Sequence, residues 1–270
     1  MKIIQDLHVH THLSMCAERS ATPEAIIAQS KRLGLRSIGI ADHMWAAEIP
    51  YPASAPGGKV FYEMQPTTHA ADARAEFGAI DCQGIEVLFG CETEYDLERR
   101  DIGLTEEEAK KMDFIIVPTS HTHMVMPTEL YTPYQAHADF MLRAYKDVLH
   151  SPLVRYITAM AHPFAAVCCP YDNAVLFDLI TDAQYREVFT ESAARGVAVE
   201  INSACLEDSA EKIQAHPSMR MYRIAHDCGC KFTIGSDSHS DTEQGTLPHA
   251  ALLADLLGLT EDDIRIAGKR

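Results

Sequence analysis

Two pairs of polar residues stand at opposite ends of the chain with the same spacing. His8-Val9-His10 follows the first short apolar run, and Asp237-Ser238-His239 follows the last one. Residues two apart in an extended chain point to the same side, so each pair presents both of its side chains together. Five further apolar runs end in single acids or histidines, which are His43, Glu92, His121, His162 and Glu200. Imidazoles and carboxylates that converge in one place are typical ligands of Zn, Fe or Mn.

The pattern as a whole carries this inference, because a single histidine at a strand end is more often a hydrogen-bonded structural residue. Here histidine follows five of the seven apolar runs. The strand ends together offer at least eight such ligands. One tetrahedral ion takes four ligands, so we predict a centre of two or three divalent ions, Zn, Fe or Mn.

The apolar runs have the length of buried strands and alternate with helical patterns. They cover residues 3–7, 37–41, 85–91, 114–118, 156–161, 197–201 and 232–235. Helices are predicted from Thr22 to Gly34, after Thr105, over 134–150 and 182–195, from Pro217 to Gly229, and over 247–257. This alternation predicts an α/β fold with parallel strands, either a barrel or an open sheet. In both, active sites form at the C-terminal ends of the strands, where the polar residues fall.

Residues 44–66 depart from the alternation. They hold four prolines, two adjacent glycines and the only tryptophan, Trp45, without a clear period. Loops of this length in compact domains are usually functional or disordered. We interpret 44–66 as an active-site loop; the alternative is a plain surface insertion.

Composition excludes several function classes. The 270 residues carry 23 Lys and Arg against 39 Asp and Glu, a formal charge of −16, which disfavours binding to long nucleic acid. A small anionic substrate is still compatible, because bound cations reverse the charge inside a cleft. No signal peptide or membrane-length apolar run is evident, so we expect a cytoplasmic protein. The cysteines of Cys168-Cys169 and Cys228-Gly229-Cys230 are then expected to be core thiols.

Taken in order, the strand-end motifs resemble those of the PHP (polymerase and histidinol phosphatase) superfamily. The matching motifs are His8-Val9-His10-Thr11, Ala41-Asp42-His43, Gly90-Cys91-Glu92, Ser120-His121, Ala161-His162-Pro163, Glu200-Ile201-Asn202 and Gly235-Ser236-Asp237-Ser238-His239. The resemblance implies a single catalytic domain over residues 1–270, folded as a distorted (β/α)7 TIM-like barrel. It also implies a metal site at the strand C-termini and phosphoesterase activity like that of the stand-alone histidinol phosphatases.

The resemblance further implies a set of metal ligands in which Glu92 bridges two ions. The set is His8, His10, His43, Glu92, His121, His162, Asp237 and His239. The chain departs from the family in the loop after His10. Met15 or Cys16 stands there where the family usually has a His or Asp ligand. Three possibilities stay open: Cys16 binds as a thiolate, Glu18 reaches in, or one metal position is weak or empty.

The resulting hypothesis is hydrolysis of a small phosphomonoester, a histidinol-phosphate-like compound or a nucleotide, by a hydroxide that bridges the metals. Glu92, Asp237 and His239 are the predicted catalytic residues, without a choice of general acid. His123, Asn202 and Arg19 are predicted substrate contacts; Glu94 is expected to be solvated or to support a ligand.

Three alternatives keep the metals and change the activity. An amidohydrolase-like C–N hydrolase usually has a bridging lysine, and none of the apolar runs ends in lysine. The others are an exonuclease acting on short nucleic acid and a non-catalytic domain that metal stabilises. The oligomeric state is not predicted.

Overall fold

Within residues 1–167 and 169–269, which the computed structural model describes, ten strands alternate with eleven α-helices. The strands are β1 (Gln5–Val9), β2 (Ser37–Ile40), β3 (Glu86–Phe89), β4 (Cys91–Glu92), β5 (Tyr95–Asp96), β6 (Asp101–Ile102), β7 (Ile115–Pro118), β8 (Ala159–Ala161), β9 (Ala198–Asn202) and β10 (Phe232–Gly235). The helices are α1 (Pro23–Leu33), α2 (Gly58–Glu63), α3 (His69–Gly78), α4 (Glu106–Ala109), α5 (Thr122–Val125), α6 (Tyr134–Leu149), α7 (Ala174–Leu179), α8 (Asp182–Arg195), α9 (Ala210–Ala215), α10 (Ser218–Asp227) and α11 (Leu247–Leu257). Short 3₁₀ turns cover Thr128–Tyr131, Val154–Tyr156, Ser203–Cys205, Glu243–Thr246 and Glu261–Asp263.

The strands that carry the site form two parallel sheets, ordered β1-β2-β3 and β10-β9-β8-β7-β4. The sheets meet twice: Val9 bridges to Ser238, and His43 bridges to Glu92. The backbone N–H of Asp237 also donates to the carbonyl of His8 at 2.8 Å. The predicted α/β fold with parallel strands is confirmed, and closure into a seven-stranded barrel stays a prediction.

The run predicted as one strand over 85–91 is two strands in different sheets. β3 pairs with β2, whereas β4 pairs with β7. Gly90 separates them, and a Cβ at this position would lie 2.3 Å from the carbonyl oxygen of Phe114. The close approach of the two backbones therefore requires glycine where the chain passes from one sheet to the other.

Local sequence signals set the helix ends. The Thr22 side chain caps α1 by accepting from the N–H of Ala25, and Gly34 ends it with a φ of 71°. Thr181 and Gln184 form a capping box at the start of α8, which ends at the left-handed Gly196. The structure confirms both predicted helices. Their ends could be predicted because capping depends on residues that are neighbours in sequence.

The strands are buried on both faces, as parallel strands between other layers must be. Residues of one face, including Val9, Ile40 and Ile115, join the large apolar cluster formed with the helices. Residues of the other face, including Leu88 and Phe114, belong to a smaller separate cluster. Because both faces of the strands are packed, the strand ends are held in position. The side chains that follow the strand ends are therefore held in position as well.

Residues 44–66 are not irregular over their whole length, because they include the helix α2. Trp45, Ile49, Phe61 and Tyr62 are buried in a small cluster of their own. The Trp45 Nε1–H donates to the carbonyl of Ile49 at 2.9 Å. The segment therefore has a core that holds it in place beside the strand ends; its role as an active-site loop stays a prediction.

Among the described helices, none has both the length and the apolar character needed to cross a bilayer. Cysteines outside any disulfide are Cys16, Cys82, Cys169, Cys205, Cys228 and Cys230. Cys230 is buried, whereas Cys169 and Cys228 are half-buried, and Cys168 lies outside the described residues.

Candidate metal centre

The predicted ligands come together from both sheets. His8 lies in β1 and Glu92 in β4, and the other six follow the C-terminal ends of their strands. They form overlapping groups in which nitrogen and oxygen atoms lie within a few ångströms of one another. The parallel arrangement accounts for this meeting, because all these strands end at the same side of the fold.

Four of the atoms lie close together around the two histidines of the first strand. His8 Nε2 lies 3.0 Å from His10 Nε2, 3.4 Å from Glu92 Oε2 and 3.3 Å from Asp237 Oδ1. His10 Nε2 lies 3.4 Å from each of the same two oxygens. Ligand atoms of a tetrahedral zinc, each about 2.0 Å from the ion, lie about 3.3 Å from one another, which agrees with these distances. This group therefore has the dimensions of a metal site.

The second oxygen of Glu92 faces a different pair of histidines. Oε1 lies 3.0 Å from His162 Nε2 and 3.8 Å from His121 Nε2. A single carboxylate thus presents one oxygen to His8 and His10 and the other to His121 and His162. Such a carboxylate can bridge two cations.

A third group surrounds the mouth of the site. One nitrogen each of His10, His43 and His239 lies within 4.8 Å of the others. The His10 and His239 rings stack with centroids 4.2 Å apart. Cys16 Sγ lies 3.1 Å from His239 Nε2, while Met15 is exposed at the cavity.

The far nitrogens of the imidazoles are held by buried partners. His8 Nδ1 donates to Glu200 Oε1 at 2.8 Å, and His121 Nδ1 donates to Glu94 Oε1 at 3.0 Å. His162 Nδ1 is hydrogen-bonded to Ser120 Oγ at 2.6 Å. With the far nitrogen protonated in this way, the near nitrogen is left free to bind a cation.

Sequence reasoning missed two of the residues that support the ligands, Glu200 and Glu94. Glu200 was noted only as a strand-end acid, although it holds two site segments: its Oε2 accepts from the backbone N–H of His162 at 2.7 Å. Glu94 is fully buried and bound to His121, not solvated. The available signal was position, since Glu200 and Glu94 follow the same strand ends as the ligands.

The buried charges shift one another. Burial alone would raise the pKa of Glu92, but the imidazoles of His8 and His121 hold it well below its usual range. The pKa of Asp237 is likewise lowered, against its burial, by His8 and His10. Burial lowers the pKa of His43 well below its ordinary value. Against their burial, the neighbouring carboxylates raise the pKa of His8, His10 and His121, so a cation that binds to these imidazoles must displace protons.

The mouth of the site has its own protonation states. Burial and the neighbouring His10 lower the pKa of His239 to about 4. The thiol of Cys16, although partly open to solvent, has its pKa raised to about 12 by desolvation and by the charge of Glu92. His239 is therefore neutral at pH 7, and Cys16 is protonated unless a cation replaces its proton.

Two of the site residues have backbone conformations that side chains rarely adopt. Asp237 has a φ of 55° and His162 a φ of 26°. Gly235 precedes Asp237, and a Cβ there would lie 2.3 Å from Glu200 Oε1 and 2.5 Å from the Cβ of His8. Non-glycine residues in this region store strain that surrounding structure must hold, which is common at functional sites.

A cavity of about 290 Å³ opens onto these groups. Beside the polar residues, it is lined by Met15, Phe61, Met124 and Val167. His123 also lines it, and its Nδ1 is buried without a hydrogen-bond partner in the described structure.

The other two predicted substrate contacts lie away from this wall. Asn202 is buried: its Nδ2 donates to Asp237 Oδ2 and its Oδ1 caps the following 3₁₀ turn. Arg19 is exposed in the loop after β1 and is not among the described residues that line the cavity. The structure therefore gives Asn202 a supporting position, and a substrate contact of Arg19 stays a prediction.

The chain resembles known proteins along nearly all its length. Two probable phosphatases, from Thermoanaerobacter sp. (strain X514) and Thermoanaerobacter pseudethanolicus, are each 24% identical over 267 residues, which is 97% of this chain and 89% of the relative. A crystal structure of histidinol phosphate phosphatase from Lactococcus lactis, complexed with zinc, L-histidinol and phosphate, superposes with a TM-score of 0.69. The match covers 95% of this chain and 94% of that one at 20% identity. The PHP domain model matches residues 6–204, so the chain belongs to the PHP domain family.

Proposed function

We propose that this protein is a metal-dependent phosphatase that hydrolyses a small phosphomonoester, such as a histidinol-phosphate-like compound or a nucleotide. The observation that carries the proposal is the geometry of Glu92. One of its oxygens completes a group with the dimensions of a zinc site, and the other faces His162 and His121. Related proteins with phosphatase names support the same reaction class.

The donor set fits two divalent ions. His8, His10, Glu92 and Asp237 would hold the first, and Glu92 with His121 and His162 the second. Divalent cations bound there supply Lewis acidity, which activates water and neutralises charge on the phosphoryl oxygens.

The protein residues position and orient this centre. Asp237 directs Oδ1 to the two histidines of β1, while its Oδ2 accepts from Asn202. With both oxygens engaged and its pKa lowered, Asp237 is unsuited to donate a proton to the leaving alcohol. His239 is neutral and its Nδ1 is bonded to the carbonyl of Asp237. Glu92 and Asp237 would therefore act as ligands, and His239 has no free proton to donate. The proton for the leaving alcohol comes from water at the open side of the cavity.

The cavity favours a small ester. A volume of about 290 Å³ admits a phosphate with a compact alcohol but not a duplex. No lysine or arginine is among the described residues that line it, so the cations themselves must neutralise the phosphate. The absence of lysine from this lining also counts against the amidohydrolase-like alternative. His123 lines the cavity, and we propose it as a contact to the phosphate.

The test is metal analysis of the purified protein followed by a panel of phosphomonoesters, amides, lactones and a labelled oligonucleotide. We expect bound divalent metal and release of phosphate from one or more monoesters. Glu92→Gln and Asp237→Asn should each lower turnover by more than the roughly hundredfold that loss of a supporting residue costs.

Matched controls are Glu86→Gln and Asp241→Asn, which alter exposed acids near the same strands. These should keep normal activity. The proposal fails if the metal-loaded protein releases phosphate from no monoester, or if the Glu92 variant retains the normal rate.

A further inference from the structure

The group at the mouth of the site lacks a donor. His10 directs its Nε2 towards His8, Glu92 and Asp237 and its Nδ1 towards Ser14 Oγ at 3.0 Å. His10 therefore belongs to the group that it forms with His8, Glu92 and Asp237. His43 and His239 are left as a pair, and two ligands from the protein hold an ion poorly.

Cys16 supplies the missing atom. Its Sγ lies 3.1 Å from His239 Nε2. A sulfur and a nitrogen bound to one tetrahedral zinc, at about 2.3 and 2.0 Å, are about 3.5 Å apart. A displacement of about half an ångström at the exposed loop would therefore place both atoms at bonding distance from the same ion.

A second observation points to a ligand here. His43 is buried, and its Nδ1 has no hydrogen-bond partner among the described residues. An unpartnered buried nitrogen is costly in a folded protein. It lies near Glu92 Oε2, at 3.4 Å, on the wall of the cavity that Cys16 also lines. A cation between these side chains would give that nitrogen a partner.

The backbone holds Cys16 in this place. The N–H of Glu18 donates to the carbonyl of His239 at 2.8 Å, and the N–H of Ala17 donates to the carbonyl of Ser14 at 3.1 Å. Ser14 in turn donates to the buried Asp42 at 2.8 Å. The Glu18 side chain is exposed, accepts from Ser20 Oγ and is not among the described residues lining the cavity. Of the two polar side chains considered for this loop, only Cys16 faces the group.

We propose that Cys16 binds, as a thiolate, a metal ion held together with His43 and His239. The thiol proton is released to solvent as the sulfur–metal bond forms. A thiolate ligand makes this position selective for zinc or another thiophilic ion over Mn²⁺, which prefers oxygen ligands. The proposal rests on the metal-dependent function above and adds Cys16 to the residues that would hold metal.

The test replaces the native metal with Co²⁺ alone, added to chelator-treated protein. Bound Co²⁺ with a thiolate ligand absorbs by charge transfer in the near ultraviolet, and nitrogen and oxygen ligands do not produce this band. We expect the band in the unaltered protein. Cys16→Ser should lose the band and a single metal ion per chain, whereas Cys16→His should keep the ion without the band.

Two further cysteines provide controls. Cys82→Ser alters a thiol remote from the site. Cys205→Ser alters a thiol close enough to Asp237 for the charge of that carboxylate to raise its pKa. Both should keep the band. A band that persists in Cys16→Ser, or that disappears in Cys205→Ser instead, overturns the proposal.

A measurement without substitution guards against variants that do not fold. Zinc X-ray absorption of the unaltered, zinc-loaded protein should show a sulfur ligand at about 2.3 Å beside the nitrogen and oxygen ligands. Absence of the sulfur ligand, or bound Co²⁺ without the band, removes Cys16 from the ligand set and leaves the phosphatase proposal intact. Absence of any Co²⁺ binding contradicts both.

Discussion

Replacing Glu200 by Gln tests how the buried supporting layer controls the metal centre. Glu200 Oε1 accepts from His8 Nδ1, and Oε2 accepts from the backbone N–H of His162. The amide of Gln keeps the shape of the side chain but turns one of the two acceptors into a donor. One of these two N–H groups must then lose its partner.

The size of the effect follows from which bond is lost. An N–H of His162 left unsatisfied in the buried site costs about 1–3 kcal/mol. If the amide nitrogen faces His8 instead, the imidazole must shift its proton to Nε2, the atom aimed at the metal. Either outcome corresponds to roughly ten- to hundredfold weaker metal binding, the range observed for residues that support ligands.

The assay is a competition titration of zinc against a chelator of known affinity, with turnover measured at saturating zinc. Glu86→Gln is the control, because it makes the same chemical change at an exposed position of β3. We expect Glu200→Gln to bind zinc more weakly while its circular dichroism stays normal. Unchanged zinc affinity and unchanged turnover would refute the assigned role of Glu200.

Three further predictions concern packing and protonation. Gly235→Ala should lose about 1–3 kcal/mol of unfolding free energy in urea, because its Cβ would overlap Glu200 and His8, whereas Gly78→Ala has open space and should not. Burial lowers the pKa of His137 to about 4 from 6.5, so the unfolded chain binds more protons between these values and stability falls as the pH drops. From pH 7 to 5 that loss is about 1–2 kcal/mol in chelator, and His137→Gln should flatten it; equal slopes contradict this. Phe61→Ala, at the cavity wall, should change KM with kcat retained, and a kcat loss as large as that of Glu92→Gln would exclude a wall role.

Much of the fold could be predicted because its signals are local. Thr22 and Thr181 begin helices through hydrogen bonds to residues three positions on, and Gly34 and Gly196 end them in the left-handed conformation. The apolar runs likewise placed the strands. The division at Gly90 was not predictable, because it depends on how closely Phe114 of a different segment approaches.

The members of the candidate centre could be proposed for a related reason. Parallel strands end on one side, so side chains after successive strands meet whatever the details of packing. His8, Glu92 and Asp237 are therefore expected to lie together from their places in sequence. In the structure, His8 Nε2 lies 3.4 Å from Glu92 Oε2 and 3.3 Å from Asp237 Oδ1.

The sequence by itself thus determined the parallel α/β order and the residue types gathered at the strand ends. Only the tertiary structure decided which oxygen of Glu92 faces which histidines, that Glu94 and Glu200 are buried partners, and that Cys16 rather than Glu18 faces His239. The physical reason is range: hydrogen bonds within a turn depend on neighbours in sequence. Distances of 3 Å between residues far apart in the chain depend on strand register and on the packing of every intervening element.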